Sequence, residues 1–180
     1  MDMSNMPLVS NTTGIPNEAQ VTAVFDDVRT QLGSVPNLFR AYANNPTILT
    51  QLWDRYQHVM LTGHLSPRLK EGIALMIASD EHSDYGISQH STLLQKLGVD
   101  PHEVLRIRTD PDHAHYNEKE HALLEVARHG NSRPHDHGDK VVNTAREAGA
   151  SDAEILEALA VGGLSAELSH AAALLGITPD

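Results

Sequence analysis

The chain has 180 residues and no cysteine. That absence excludes disulfides, thiolate zinc sites, iron–sulfur clusters and any reaction that needs a thiolate nucleophile. Positive charge is scarce: 13 lysines and arginines stand against 24 acidic residues, a formal net charge of -11. Nucleic acid and anionic membranes are themselves negative, so neither is expected as a partner. Apolar runs read as short, none approaching the roughly 20 residues that span a bilayer. Residues 1–11 lack a basic region followed by an apolar run, so no signal peptide is read and a cytoplasmic location is expected. Strand-like alternation is hard to find anywhere along the chain.

Helix signals, by contrast, recur from end to end. Residues 1–16 are polar, with Gly14 and Pro16, and read as a flexible N-terminal arm; 17–180 read as a single domain, long enough to bury a core without staples. A first helix follows Asn17, carries Val21, Val24, Phe25, Val28 and Leu32 on one stripe, and stops at Gly33. Asn45-Pro46, Ser66-Pro67 and Asp100-Pro101 each place a capping side chain before proline, the preferred order at a helix start. Asn117 with Glu120 and Ser151 with Glu154 have capping-box spacing. The helix after Asn117 is expected to end before Gly130. Gly162-Gly163 inside the final helix costs roughly 2 kcal/mol in propensity, which predicts close helix packing or a break there. The fold class is all-α.

The chemistry-bearing stretch is Glu81-His82-Ser83-Asp84-Tyr85-Gly86-Ile87-Ser88-Gln89-His90. On a helix beginning near Ser83, positions 83, 86 and 90 share one face. Gly86 would remove bulk in front of His90 and leave room for a substrate atom. Glu71 lies on the preceding, mostly apolar helix, where an isolated carboxylate is costly unless it meets a partner. Pairing Glu71 with His90 would fix the histidine tautomer, as general acid–base work requires. Bland readings fit the same residues: a packed histidine, a core Tyr85, Ser83 as an N-cap, and Glu71 favouring its helix dipole. Twelve histidines are many for this length. The pairs His113-x-His115 and His135-x-His137 could bind a borderline metal, although loop histidines are more often solvated.

Resemblance adds weight to one reading. Ser66-Pro67-Arg68-Leu69-Lys70-Glu71-Gly72-Ile73-Ala74-Leu75, then Ser83 to His90, then Gln95-Lys96-Leu97-Gly98, resemble the carboxymuconolactone decarboxylase and alkylhydroperoxidase-D-like (AhpD-like) superfamily. Gly33 to Arg40, Asn45-Pro46 and Glu118 to Leu124 are similar to its longer members, so the likeness runs from about residue 18 to 176. The peroxidase branch has cysteines at the positions of Ser83 and Gly86, a histidine at that of His90 and a proton-relay glutamate at that of Glu71. A cysteine-free, decarboxylase-like branch reads small-acidic-Tyr-Glu-Trp-x-Gln-His. Here Ser83, Asp84, Tyr85, Gln89 and His90 fit, while Gly86 and Ile87 depart from it.

The resemblance implies an all-helical bundle that assembles as a homo-oligomer, a trimer or hexamer. It implies a cofactor-free lyase or isomerase acting on a small-molecule substrate: a small oxidised acid, a lactone or an enolisable carbonyl compound. His90 would be the general acid or base with Glu71 orienting it, and Tyr85 would assist. Ser83, Gly86 and Gln89 would line the substrate. Thiol peroxidase chemistry is excluded because both sulfurs are missing. The alternatives are a non-catalytic member that kept the scaffold, and a metal-dependent enzyme.

Overall fold

The computed structural model describes residues 17–180, so the arm read over 1–16 lies outside the described residues. These residues form α1 (Glu18–Leu32), α2 (Asn37–Tyr42), α3 (Pro46–Tyr56), α4 (Pro67–Asp80), α5 (Asp84–Lys96), α6 (Pro101–Thr109), α7 (Glu118–Ser132), α8 (Gly138–Glu147) and α9 (Asp152–Leu175). A π-helical turn over Gln57–Leu61 prolongs α3, and there is no strand among the described residues.

Helix starts follow from local chemistry. The side chains of Asn45, Ser66, Ser83, Asp100, Asn117 and Ser151 each accept a backbone N–H from the first turn of the helix they precede. Asn117 with Glu120 and Ser151 with Glu154 complete reciprocal capping boxes. Each cap satisfies an N–H that the helix cannot, worth about 1 kcal/mol.

The bundle is organised around α4 and α9. Every residue from Leu69 to Ala78 is buried, because α4 packs against α5, α6, α7 and α9. A helix covered on all sides must be apolar on all sides, which makes the two charged residues of that buried stretch, Lys70 and Glu71, conspicuous. By length and composition α9 could cross a membrane, which corrects the expectation that no segment is long and apolar enough. Here its apolar faces pack on α4, α5, α7 and α8.

Close approach of α7 and α9 depends on two glycines. A Cβ on Gly162 would lie 2.7 Å from Asn131 Nδ2, and one on Gly130 would lie 2.5 Å from Leu159 Cδ2. Gly162 therefore marks packing, a Cβ on Gly163 would meet open space, and α9 continues through both without a break. Likewise α7 does not stop before Gly130 but runs on to Ser132, since that glycine serves a helix contact.

One aromatic cluster reaches from the core to the region of Glu71. Phe39 meets Trp53 and Tyr56 edge-on at ring separations of 5.6 and 5.5 Å, and Trp53 stacks on Tyr56 at 5.8 Å. The Trp53 indole N–H donates to Asp27 at 2.6 Å, which ties α3 to α1 and holds Tyr56 in place.

Candidate active site

Helix α4 hands over to α5 in three residues. His82 takes a left-handed backbone (φ +54°), and Ser83 then caps α5 by accepting the Gly86 N–H at 3.2 Å. The tight reversal lays α5 along α4 and brings His90 Nδ1 to 2.7 Å from Glu71 Oε2. Both side chains are largely enclosed, 13% and 12% exposed. An ionised carboxylate can only accept, so Nδ1 carries the hydrogen of this contact, which leaves Nε2 as the nitrogen able to take or give a proton.

Two adjoining spaces meet at this pair. A cleft of about 250 Å³ is bordered by Glu71, Gln89, Tyr56, Lys96 and Asp180. A cavity of about 30 Å³, the size of one water, is bordered by His90, Gln89, Tyr56, Tyr85, Ser165 and Ser169. Glu71 therefore faces the cleft, His90 the cavity, and Gln89 and Tyr56 belong to both. Burial, and then the negative charge of Glu71, push the Tyr56 phenol well above the ordinary tyrosine range. It stays protonated and able to donate.

The other residues singled out in the sequence divide. Tyr85 is buried and its hydroxyl donates to Asp180 Oδ2 at 3.2 Å. Burial, then the Asp180 charge, raise its pKa, with the Leu38 backbone acting the other way. Gln89 is half-buried between the two spaces. Ser83 is only 3% exposed, spends its oxygen on the α5 cap and borders neither space. Gly86 borders the small cavity together with His90, and a Cβ there would lie 2.7 Å from Ala78 Cβ, so its missing side chain also lets α5 approach α4.

Tyr56 and Asp180 were not singled out in the sequence. Tyr56 ends an ordinary amphipathic helix, and Asp180 reaches the cleft from 95 residues beyond Tyr85. Nothing local marks either one.

The histidine-rich segments do not converge. His113 pairs with Asp110 at 2.8 Å, and that hydrogen bond raises its pKa at an exposed site. His115 contacts Glu103 and Arg106, while His135 and His137 are exposed beyond α7. His170 takes up Glu81 at 2.6 Å. Among the described residues no three His, Asp or Glu side chains are grouped to hold a metal ion.

No family model matches the sequence, and no curated protein matches it. Solved structures do. An AhpD-core, peroxidase-related protein from Ralstonia eutropha JMP134 superposes with a TM-score of 0.86 at 19% identity, over 100% of this chain and 94% of that one. A peroxidase-related protein from Silicibacter sp. TM1040 gives 0.84 at 22% identity, over 100% and 95%. The debrominase Bmp8 gives 0.78 at 19% identity, over 100% and 94%. This chain therefore has the AhpD-like all-α fold, in a sequence without cysteine.

Proposed function

We propose that the chain is an enzyme that moves protons on a small carbon acid, a cofactor-free lyase or isomerase of the carboxymuconolactone decarboxylase type. The observation that carries this reading is the enclosed Glu71–His90 pair, 2.7 Å apart, at the meeting of a cleft and a cavity. Glu71 holds the Nδ1 hydrogen, so His90 Nε2 can remove a proton from carbon next to a carbonyl or carboxyl group. The electron pair of that C–H bond becomes an enolate, and the Tyr56 phenol and Gln89 amide are donors of the kind that stabilise it. Return of the proton from Nε2 to a different carbon completes an isomerisation. In a lyase step His90 enters protonated at Nε2: the C–C bond to a carboxylate breaks, carbon dioxide leaves, and the Nε2 proton quenches the carbanion.

Bmp8, a debrominase on the same scaffold, supports the idea that this fold hosts chemistry on small molecules. A cysteine-to-alanine variant of it is seen in complex with 2,3,4-tribromopyrrole, whereas a thiol is unavailable here. We also propose a homo-oligomer. Leu156 and Leu174 on α9 are 66% and 88% exposed, which supports burial against another copy, and light scattering on the purified chain reads the mass directly.

The test is deuterium wash-in. A panel of β-keto acids, unsaturated lactones and enolisable ketones is incubated with the protein in D₂O and followed by proton NMR. At least one member should exchange or convert, and His90→Gln should abolish this while the helical circular dichroism is unchanged. Equal exchange by His90→Gln and the parent chain would overturn the mechanism.

A further inference from the structure

We infer that the cleft beside Glu71 is a carboxylate-binding site, and that the side chain of Asp180 occupies its donors as an internal stand-in for the ligand. The inference rests on the reading of Glu71–His90 as a substrate site and narrows that substrate to a carboxylic acid.

Two donors from distant parts of the chain converge on this one carboxylate. The Tyr85 hydroxyl donates to Oδ2 at 3.2 Å and the Asn37 backbone N–H to Oδ1 at 2.7 Å. One donor on each oxygen is how proteins hold a carboxylate. The phenol belongs to a residue only 7% exposed, on the wall of the cavity that His90 also borders. Asp180 itself is exposed, and it borders the cleft together with Glu71 and Gln89. The donors are thus fixed in the fold, whereas the group they hold sits at the surface.

The segment bearing Asp180 is built to let go. Gly176 turns the chain out of α9 in a left-handed conformation, and Ile177 anchors it among Leu38, Ala41, Tyr85 and Ala172. Beyond that anchor, Thr178 O accepts from the Asn37 side chain at 3.4 Å, a long contact, and residues 178–180 are exposed. Freeing the donors requires residues 178–180 to swing about that anchor.

Charge makes displacement the required mode. The cleft already carries Glu71 and Asp180 against Lys96 alone, so a second anion beside Asp180 would be repelled. A ligand carboxylate that replaces Asp180 keeps the charge count constant and inherits both hydrogen bonds. Its remaining atoms then extend along the cleft toward Gln89 and Glu71.

Calorimetric titration of the full chain with benzoate, and with benzamide as the neutral isostere, tests this. Asp180→Ala should bind benzoate about tenfold or more tightly than the parent, since two donors to a charged acceptor are freed. Benzamide should gain little. Asp180→Asn should gain less than Asp180→Ala, because its amide oxygen still accepts from one of the two donors although the charge is gone. Adding Tyr85→Phe to Asp180→Ala should erase most of the gain. Unchanged benzoate affinity in Asp180→Ala, an equal gain in Asp180→Asn, or an equal gain for benzamide would each overturn the proposal. Binding is read without turnover, so a chain that behaves as expected here yet exchanges no carbon-bound proton keeps the carboxylate site and loses the acid–base enzyme.

Discussion

Lys70 and Glu71 are neighbours on one buried helix, and they teach opposite lessons about buried charge. Lys70 is 2% exposed and its ammonium is saturated: it donates to the carbonyls of Val59 and Thr62 and pairs with Glu157 Oε1 at 2.6 Å. Glu157 in turn accepts the backbone N–H groups of His64 and Leu65 at 2.7 and 3.2 Å. This network fastens the turn between the π-helical segment and α4, and it leaves Lys70 no hydrogen to offer a ligand. Among the described residues Glu71 has a single side-chain partner, His90, and it borders a cleft. A charge whose hydrogen-bonding capacity is used up within the fold holds structure together. One left with capacity facing open space is available for chemistry.

Breaking the saturated side should have the largest effect. Glu157→Ala strands the Lys70 ammonium in the core, and removing one partner of a buried pair costs about 3–5 kcal/mol. For a chain of this size the midpoint of thermal unfolding should fall by roughly 10 °C, while activity per folded molecule is kept. The same network should show in acid. Burial opposes ionisation of Glu157, but hydrogen bonds from Lys70, His64 and Leu65 outweigh it and hold the carboxyl below its ordinary range. Its folded pKa is lower than its unfolded one, so its contribution is present above the unfolded value and lost as pH falls through the folded value. Denaturant titrations from pH 6 down to 3 should show a shallower loss of stability in Glu157→Gln than in the parent chain.

The open side should break in the reverse pattern. His90→Gln is expected to lower turnover by about 10²–10⁴-fold, the usual range for a general acid or base, with stability little changed. Glu71→Gln should cost less than His90→Gln, since it removes the orienting group and leaves the imidazole. Steady-state kinetics paired with thermal melts separate the two. If Glu71→Gln were to unfold the protein as severely as Glu157→Ala, the distinction between the neighbouring charges would fail.

A third variant concerns how α4 and α5 come together to form the pair. Gly86→Ala forces a Cβ to within 2.7 Å of Ala78 Cβ, and overpacking of this kind costs about 1–3 kcal/mol. Ala78→Gly in the same molecule should recover part of the loss. If Gly86→Ala were neutral in a melt, the two helices would not be in the contact described.

What could be read from the sequence was local. Six helix starts rest on a capping side chain within three residues of the N–H it accepts, and α4 announces itself by an unbroken apolar run. Glu71–His90 was legible because a carboxylate on that run demands a partner, and the next helix offers an imidazole. Contacts between distant segments were not legible. Gly130 looks like a stop until Leu159 is seen against it, Gly86 gives no local sign of its close approach to Ala78, and Asp180 none of reaching Tyr85.

Ser83 gives the smallest effect and sharpens the boundary between scaffold and site. Its resemblance-based role is to meet the substrate, yet its oxygen accepts the Gly86 N–H, and it borders neither the cleft nor the cavity. Ser83→Ala should therefore cost about 1 kcal/mol, the worth of an N-cap, and lower the melting midpoint by about 2–4 °C. Its kcat and KM, corrected for the folded fraction, should stay within about threefold of the parent chain. A larger fall in kcat/KM with an unchanged melt would move Ser83 to the open side of the comparison, with Glu71, and would mean that α5 starts without its help.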